Sequence, residues 1–232
     1  IGFTRRFSKN LGVISHGYIP RNFAGHNDQL FNPYIAYDLA RAKQLLAEAG
    51  YPNGDGFPKL TLDISYGEKL HAEAMFFANC MKRIGICVEA QQHSFPALLK
   101  HTQRGNHMLA LLGWHADFPD YSSMFELIRY PVMGGGIWVR DASFDALYDQ
   151  TIRTMDDRER ARLFEQLDAK AVGLVPCLPL PTTHHYALVH QWVKNYVMNP
   201  FLYGKTQYLD VLPHTCKTIE IEPQAGKPST AP

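Results

Sequence analysis

The strongest constraint on this chain is an alternation in which three short strand-like runs are separated from one another by single helical stripes. Leu60–Ser65 (L-T-L-D-I-S) alternates apolar and polar residues as a half-buried strand does. Leu70, Ala74, Phe77, Ala78, Met81 and Ile84 then recur at helical spacing and stop before Gly85. A second strand is expected over 86–91, and Ser94 sits where a short helix running through His101 would take its cap. The apolar run 108–112 supplies the third strand. Parallel neighbours need a crossover long enough to hold a helix, so this order predicts an α/β layer with an at least partly parallel sheet flanked by helices.

The flanks extend the pattern. Residues 1–33 are punctuated by Gly2, Gly12, Gly17, Pro20, Gly25 and Pro33 and read as a connecting or wrapping segment. Asp38 fits an N-cap, and Leu39, Ala42, Leu45, Leu46 and Ala49 mark a helix over 39–49 that stops at Gly50. A turn-rich loop follows over 51–58. Beyond the third strand a helix is expected near 121–130, then a loop over 131–136 whose three glycines allow movement or the close approach of another group. Two helices come next in tandem. One covers 143–154 with Phe144, Leu147 and Ile152 inward; the other opens with Asp156 and Glu159 in capping-box relation and carries Ala161, Leu163, Phe164, Leu167 and Ala171. The segment 175–181 holds too much proline for a central strand, 186–189 is a candidate edge strand, and the end reads as a tail with little apolar surface.

Composition narrows the function classes. Lys and Arg (23) nearly balance Asp and Glu (22) for a formal charge of +1, and no basic run marks a nucleic-acid or anionic-membrane surface. No apolar segment approaches the roughly 20 residues a membrane span requires, and the N-terminus lacks a signal-peptide layout. Cys80, Cys87, Cys177 and Cys216 show no C-x-x-C spacing, which leaves a zinc ribbon or thioredoxin-like motif unsupported. No G-x-S-x-G, Walker loop, G-x-G-x-x-G or H-E-x-x-H occurs, so no base, nucleophile and orienter set announces an enzyme or a cofactor site. The paired His184 and His185 fall on opposite faces if their segment is a strand.

The stretch over 107–120, H-M-L-A-L-L-G-W-H-A-D-F-P-D, concentrates the chain's chemistry. If the strand continues past Gly113, Trp114 and Ala116 face one way and His115 and Asp117 the other. Two readings of the acids stand side by side. Asp117 or Asp120 caps the helix that begins near Tyr121, or Asp117 points into a cleft and holds a cationic group of a ligand.

Taken in order, A-Y-D-L-A-R-A-K-Q-L-L-A-E-A-G-Y-P-N-G-D-G-F-P-K-L-T-L, M-K-R-I-G-I-C-V-E, L-G-W-H-A-D-F-P-D and V-P-C-L-P-L resemble the C-terminal half of family 5 extracellular solute-binding proteins. These are dipeptide- and oligopeptide-binding receptors of bacterial ABC importers. The resemblance covers roughly 15–212 and implies a two-lobed periplasmic-binding-protein architecture of which this chain is the later lobe. On that basis 1–195 is the ligand-binding C-terminal lobe, 196–218 a crossover strap towards a missing N-terminal lobe, and 219–232 a flexible tail. A fragment, a cleaved product or one piece of a larger assembly is the expectation, in line with a chain that starts without Met.

The resemblance also implies partners and a site. The partners are a short peptide, the missing first lobe and an ABC permease in the inner membrane, with the protein periplasmic or at the cell surface. No catalysis and no cofactor are implied. Asp117 matches the acid that pairs with the peptide α-amino group, and Trp114 the position that lines a side-chain pocket, with core packing as its plainer role. Leu111 stands where some oligopeptide receptors carry an Arg that helps bind the peptide carboxylate. His115 leaves a nickel-type metal-chelate carrier as an alternative, and an interaction or sensory module that retains this lobe is another.

Overall fold

The computed structural model describes residues 7, 16–20, 23, 26, 27, 30, 37–129, 137, 139–181, 186–198 and 205–213. The glycine loop over 131–136, the pair His184 and His185, and the tail over 219–232 lie outside the described residues. The chain divides into two compact units, 1–184 and 185–232.

In the first unit Asp38 caps α1 (Leu39–Glu48) as its sequence predicts, its carboxylate accepting the Arg41 N–H at 2.8 Å. Only Leu46 of this helix is buried, and Leu45, expected inward, is 41% exposed. The next turn, Pro52–Gly54, carries Asn53 at φ 58° and packs its backbone against Gly85. Gly85 has φ +89°, and a Cβ there would lie 1.8 Å from the Asn53 carbonyl oxygen. Gly85→Ala is therefore expected to destabilise this unit by about 2–4 kcal/mol, from the left-handed conformation and the backbone overlap together. A fall in the urea midpoint of the purified chain checks this.

The alternation produces a three-stranded parallel sheet of order β2-β1-β3, with β1 (Leu60–Ser65), β2 (Val88–His93) and β3 (Leu109–Ala110). β2 begins two residues later than expected because its ladder opens with Leu60 opposite Val88; Ile86 is buried and the Cys87 carbonyl only receives the Leu60 N–H. Helix α2 (Glu68–Lys82) joins β1 to β2, and α3 (Phe95–Gln103) joins β2 to β3. Right-handed crossovers that leave β1 in one direction and return past it in the other place these helices on opposite faces. The contacts agree. Leu62 and Ile64 pack with Ala74 of α2, while Asp63, alternate along β1, meets His101 of α3. Ser94 occupies the N-cap of α3 but makes no side-chain capping bond there; Pro96 in the first turn has no N–H to satisfy.

A second layer is built on aromatics. The helix expected over 121–130 is a single turn, α4 (Ser122–Phe125), followed by turns. Then come α5 (Ala142–Arg153), capped by Asp141 on the Phe144 N–H at 2.7 Å, and α6 (Asp157–Leu174), capped by Asp156 on the Glu159 N–H at 2.8 Å. Phe144, Tyr148 and Thr151 face inward on α5, whereas Ile152, expected inward, is 44% exposed. Seven residues bring a helix back to within about 20° of its starting direction and eight overshoot by about 80°. Tyr121, Phe125, Ile128, Phe144, Tyr148, Phe164, Leu167 and Ala171 form one core with Ile19 of the N-terminal segment. That segment is pinned by buried Asp168 of α6, which accepts the Tyr18 N–H at 2.7 Å. Gly17 lies so close that a Cβ would stand 2.2 Å from the carboxylate. Burial pushes the Asp168 carboxyl up, offset in part by the N–H groups of Tyr18 and Ile19.

The second unit contains an antiparallel pair, β4 (Val193–Lys194) and β5 (Asp210–Val211), with Val193 opposite Val211. The edge strand expected over 186–189 does not form. Leu188 there is fully exposed, and among the described residues no strand pairs with the segment; apolar character without a ladder partner does not make a strand.

Candidate functional site

The sheet topology sets one boundary apart. The chain moves from β1 to β2 and then returns to place β3 on the other side of β1, which makes the β1/β3 boundary a topological switch point. In open α/β sheets ligands sit outside the carboxyl ends of the strands at such a boundary. The segment leaving the carboxyl end of β3 is 111–120, the stretch that holds Trp114, His115, Asp117 and Asp120.

The third strand is short. β3 ends at Ala110, and the Leu111 N–H makes one last bond to the Asp63 carbonyl at 2.9 Å before the chain becomes a loop. The alternation expected for 114–117 therefore does not apply, since Trp114, His115 and Asp117 lie on an exposed loop beyond the strand and are not alternate residues of a ladder. Trp114 is 43% exposed and not part of either buried core. Leu111 packs at the margin of the sheet core.

Two short bonds give the loop its form. The Trp114 indole Nε1–H donates to the Ser123 carbonyl at 3.2 Å, and the Asp117 N–H donates to the Ser123 hydroxyl at 2.9 Å. Ser123 is 1% exposed in α4. The two readings of the acids now separate. Neither acid caps the one-turn helix, whose N-cap position is Tyr121 with no side-chain capping bond; Asp120 instead closes a local turn just ahead of it, its Oδ1 accepting the Ser122 N–H at 3.0 Å and the Ser122 hydroxyl at 2.5 Å. The same carboxylate is gripped by the Arg160 guanidinium of α6, at 2.5 Å from Nη1 and 2.9 Å from Nη2. The Asp117 carboxylate, by contrast, is exposed and among the described residues takes no hydrogen bond or ion pair.

Burial would raise the Asp120 carboxyl, but the hydrogen bonds from Arg160 and Ser122 outweigh it and hold it below its ordinary value. A lowered folded value means that the pair stabilises the fold above the ordinary carboxyl range and that this contribution is lost as pH falls through the lowered value. Asp120→Asn is expected to cost about 1–2 kcal/mol near neutral pH. Urea titrations of both proteins from pH 7 downward check this: the gap between wild type and variant closes below about pH 4.

One cluster was not anticipated from the sequence. Asp63, 1% exposed, lies 2.7 Å from His93 Nε2 at the end of β2 and 3.5 Å from His101 Nε2 of α3, with the two imidazoles stacked at 5.4 Å. It ties both strands to the covering helix. The available signal was an acid in the middle of a strand flanked by helices on both sides, where a carboxylate must find partners. Among the described residues no group of three or more His, Cys, Asp or Glu side chains is arranged to hold a metal ion.

With sheet, switch point and loop in place, the architecture is that of a periplasmic-binding-protein lobe. It is similar to the periplasmic binding protein DppA from Helicobacter pylori in complex with the peptide STSA, at TM-score 0.69 and 27% identity, over 78% of this chain and 35% of that one. Residues 2–135 match the family described as bacterial extracellular solute-binding proteins, family 5 Middle. The chain belongs to the family 5 bacterial extracellular solute-binding proteins. Heme-binding protein A of Haemophilus influenzae is 27% identical over 84% of this chain and 36% of its own length. Di/tripeptide-binding protein 4 of Pseudomonas aeruginosa is 29% identical over 79% of this chain and 35% of its own. The chain thus spans about a third of the length of these relatives. Among the described residues no helix is long and apolar enough to cross a membrane.

Proposed function

We propose that this chain is the later lobe, 1–195 with a crossover strap over 196–218, of a two-lobed receptor that binds short peptides reversibly and delivers them to an ABC permease. The protein acts outside the cytoplasm, in the periplasm or at the cell surface, and performs no chemistry on its ligand. Asp117 anchors the peptide α-amino group, Trp114 lines the adjoining side-chain pocket and His115 borders the ligand. The observation that carries this reading is the Asp117 carboxylate: exposed, unpaired among the described residues, and placed past the carboxyl end of β3 at the switch point. Its helix-capping alternative is weakened because its carboxylate accepts no N–H of the helix start, whose N-cap position is Tyr121. The di/tripeptide-binding relative agrees in ligand class.

A wall of one lobe leaves a ligand half in water, so much of the binding energy depends on closure by the other lobe. Calorimetry with short peptides, using the full-length gene product and the isolated 232-residue chain side by side, tests this. The full-length protein is expected to bind and the isolated chain to bind weakly or not at all. Equal, tight binding by the isolated chain would remove the two-lobe reading.

A further inference from the structure

We propose that Ser123 is the positioning residue of the recognition loop, fixing the Asp117 backbone and the Trp114 indole to one buried point; this rests on the peptide-receptor reading above. The bonds diverge from a single residue. The Ser123 hydroxyl accepts the Asp117 N–H at 2.9 Å, and its carbonyl accepts the Trp114 Nε1–H at 3.2 Å. The amine anchor and the pocket wall are thereby spaced relative to each other, although both lie on a loop that has left the sheet.

Ser123 is itself held firmly. It is 1% exposed, and Phe125, two positions on in the same turn, is fully buried in the aromatic core. Its neighbour Ser122 is pinned through both N–H and hydroxyl by Asp120, and Asp120 is braced by Arg160 of α6. A chain of contacts thus runs from the long helix through the one-turn helix to the loop. Such support matters for recognition, because a charge-assisted bond to an ammonium needs the carboxylate within hydrogen-bond reach, and a site about 1 Å too loose forfeits much of the interaction. A purely structural serine would affect stability alone. A positioning serine affects discrimination between an amine and its neutral counterpart.

The test compares dialanine with N-acetyl-dialanine by calorimetry on the full-length gene product, the readout being the ratio of the two affinities. Asp117→Asn is expected to bring the ratio close to one. Ser123→Ala, which removes only the hydroxyl acceptor, is expected to lower the wild-type ratio about five-fold, a loss of roughly 1 kcal/mol. Ser123→Cys, with a weaker acceptor of similar size, falls between Ser123→Ala and wild type. A wild-type ratio in Ser123→Ala alongside a collapsed ratio in Asp117→Asn overturns the positioning role and leaves the amine anchor standing. A wild-type ratio in Asp117→Asn removes the anchor, and the role of Ser123 with it. If Ser123→Ala does not fold by circular dichroism, Ser123→Cys decides alone, and a wild-type ratio there overturns the proposal.

Discussion

Phe164→Ala is expected to lower the stability of the first unit by about 3–5 kcal/mol, the range for emptying a fully buried aromatic site. Phe164 of α6 is 0% exposed and meets Tyr121 edge to face at 4.5 Å and Phe125 in a stack at 6.1 Å. The Arg160 guanidinium lies over its ring at 5.0 Å. Each aromatic contact adds about 0.5–1.5 kcal/mol to the area it buries, and the cavity left by alanine opens between three helices that cannot all collapse. Against a total of about 5–15 kcal/mol for a typical domain, the loss is a large share. Burial, reinforced by the neighbouring Asp120, pushes the Tyr121 hydroxyl up to about 12. Urea denaturation followed by circular dichroism measures the loss. A change below about 1 kcal/mol would mean that the aromatic cluster is not the core of this layer.

Asp117→Ala carries the largest expected effect on binding. Truncating one member of a desolvated charge pair costs about 2–5 kcal/mol, and an acid that is exposed before binding belongs at the lower end. The full-length protein should therefore bind short peptides with free amino termini about 30- to 150-fold more weakly after the substitution. Its urea midpoint should hardly move, because the carboxylate takes no partner among the described residues. A large loss of stability without loss of affinity would reassign Asp117 to the fold.

The sheet could be read from the sequence because its signals are local. L-T-L-D-I-S alternates over the length of β1, and the apolar stripe from Leu70 to Ile84 stops at a glycine that the close turn requires. The helix starts at Asp38 and Asp156 could be read for the same reason, since an N-cap acid acts on an N–H three residues away. Burial by more distant packing was less legible. Leu45 and Ile152 fit apolar patterns but end exposed, and the apolar run over 186–189 has no ladder partner among the described residues. Long-range partners were the least visible. The Asp63 cluster unites residues up to 38 positions apart in the chain, and the Arg160 brace reaches Asp120 across 40 positions. The loop chemistry fell between these cases. Two acids three positions apart offered the same helix cap, and in space neither takes it: Tyr121 stands at the N-cap without a side-chain bond, Asp120 closes a turn on Ser122 and pairs with Arg160, and the Asp117 N–H donates to the Ser123 hydroxyl.

Asp117 is proposed to recognise a peptide amine. Calorimetry of the full-length wild-type protein with one short peptide, once with a free amino terminus and once N-acetylated, tests it most directly. Acetylation replaces the charged ammonium and its three donors with a neutral amide carrying a small acyl group, so the free peptide is expected to bind at least about 30-fold more tightly. Equal affinities for the two would contradict the account.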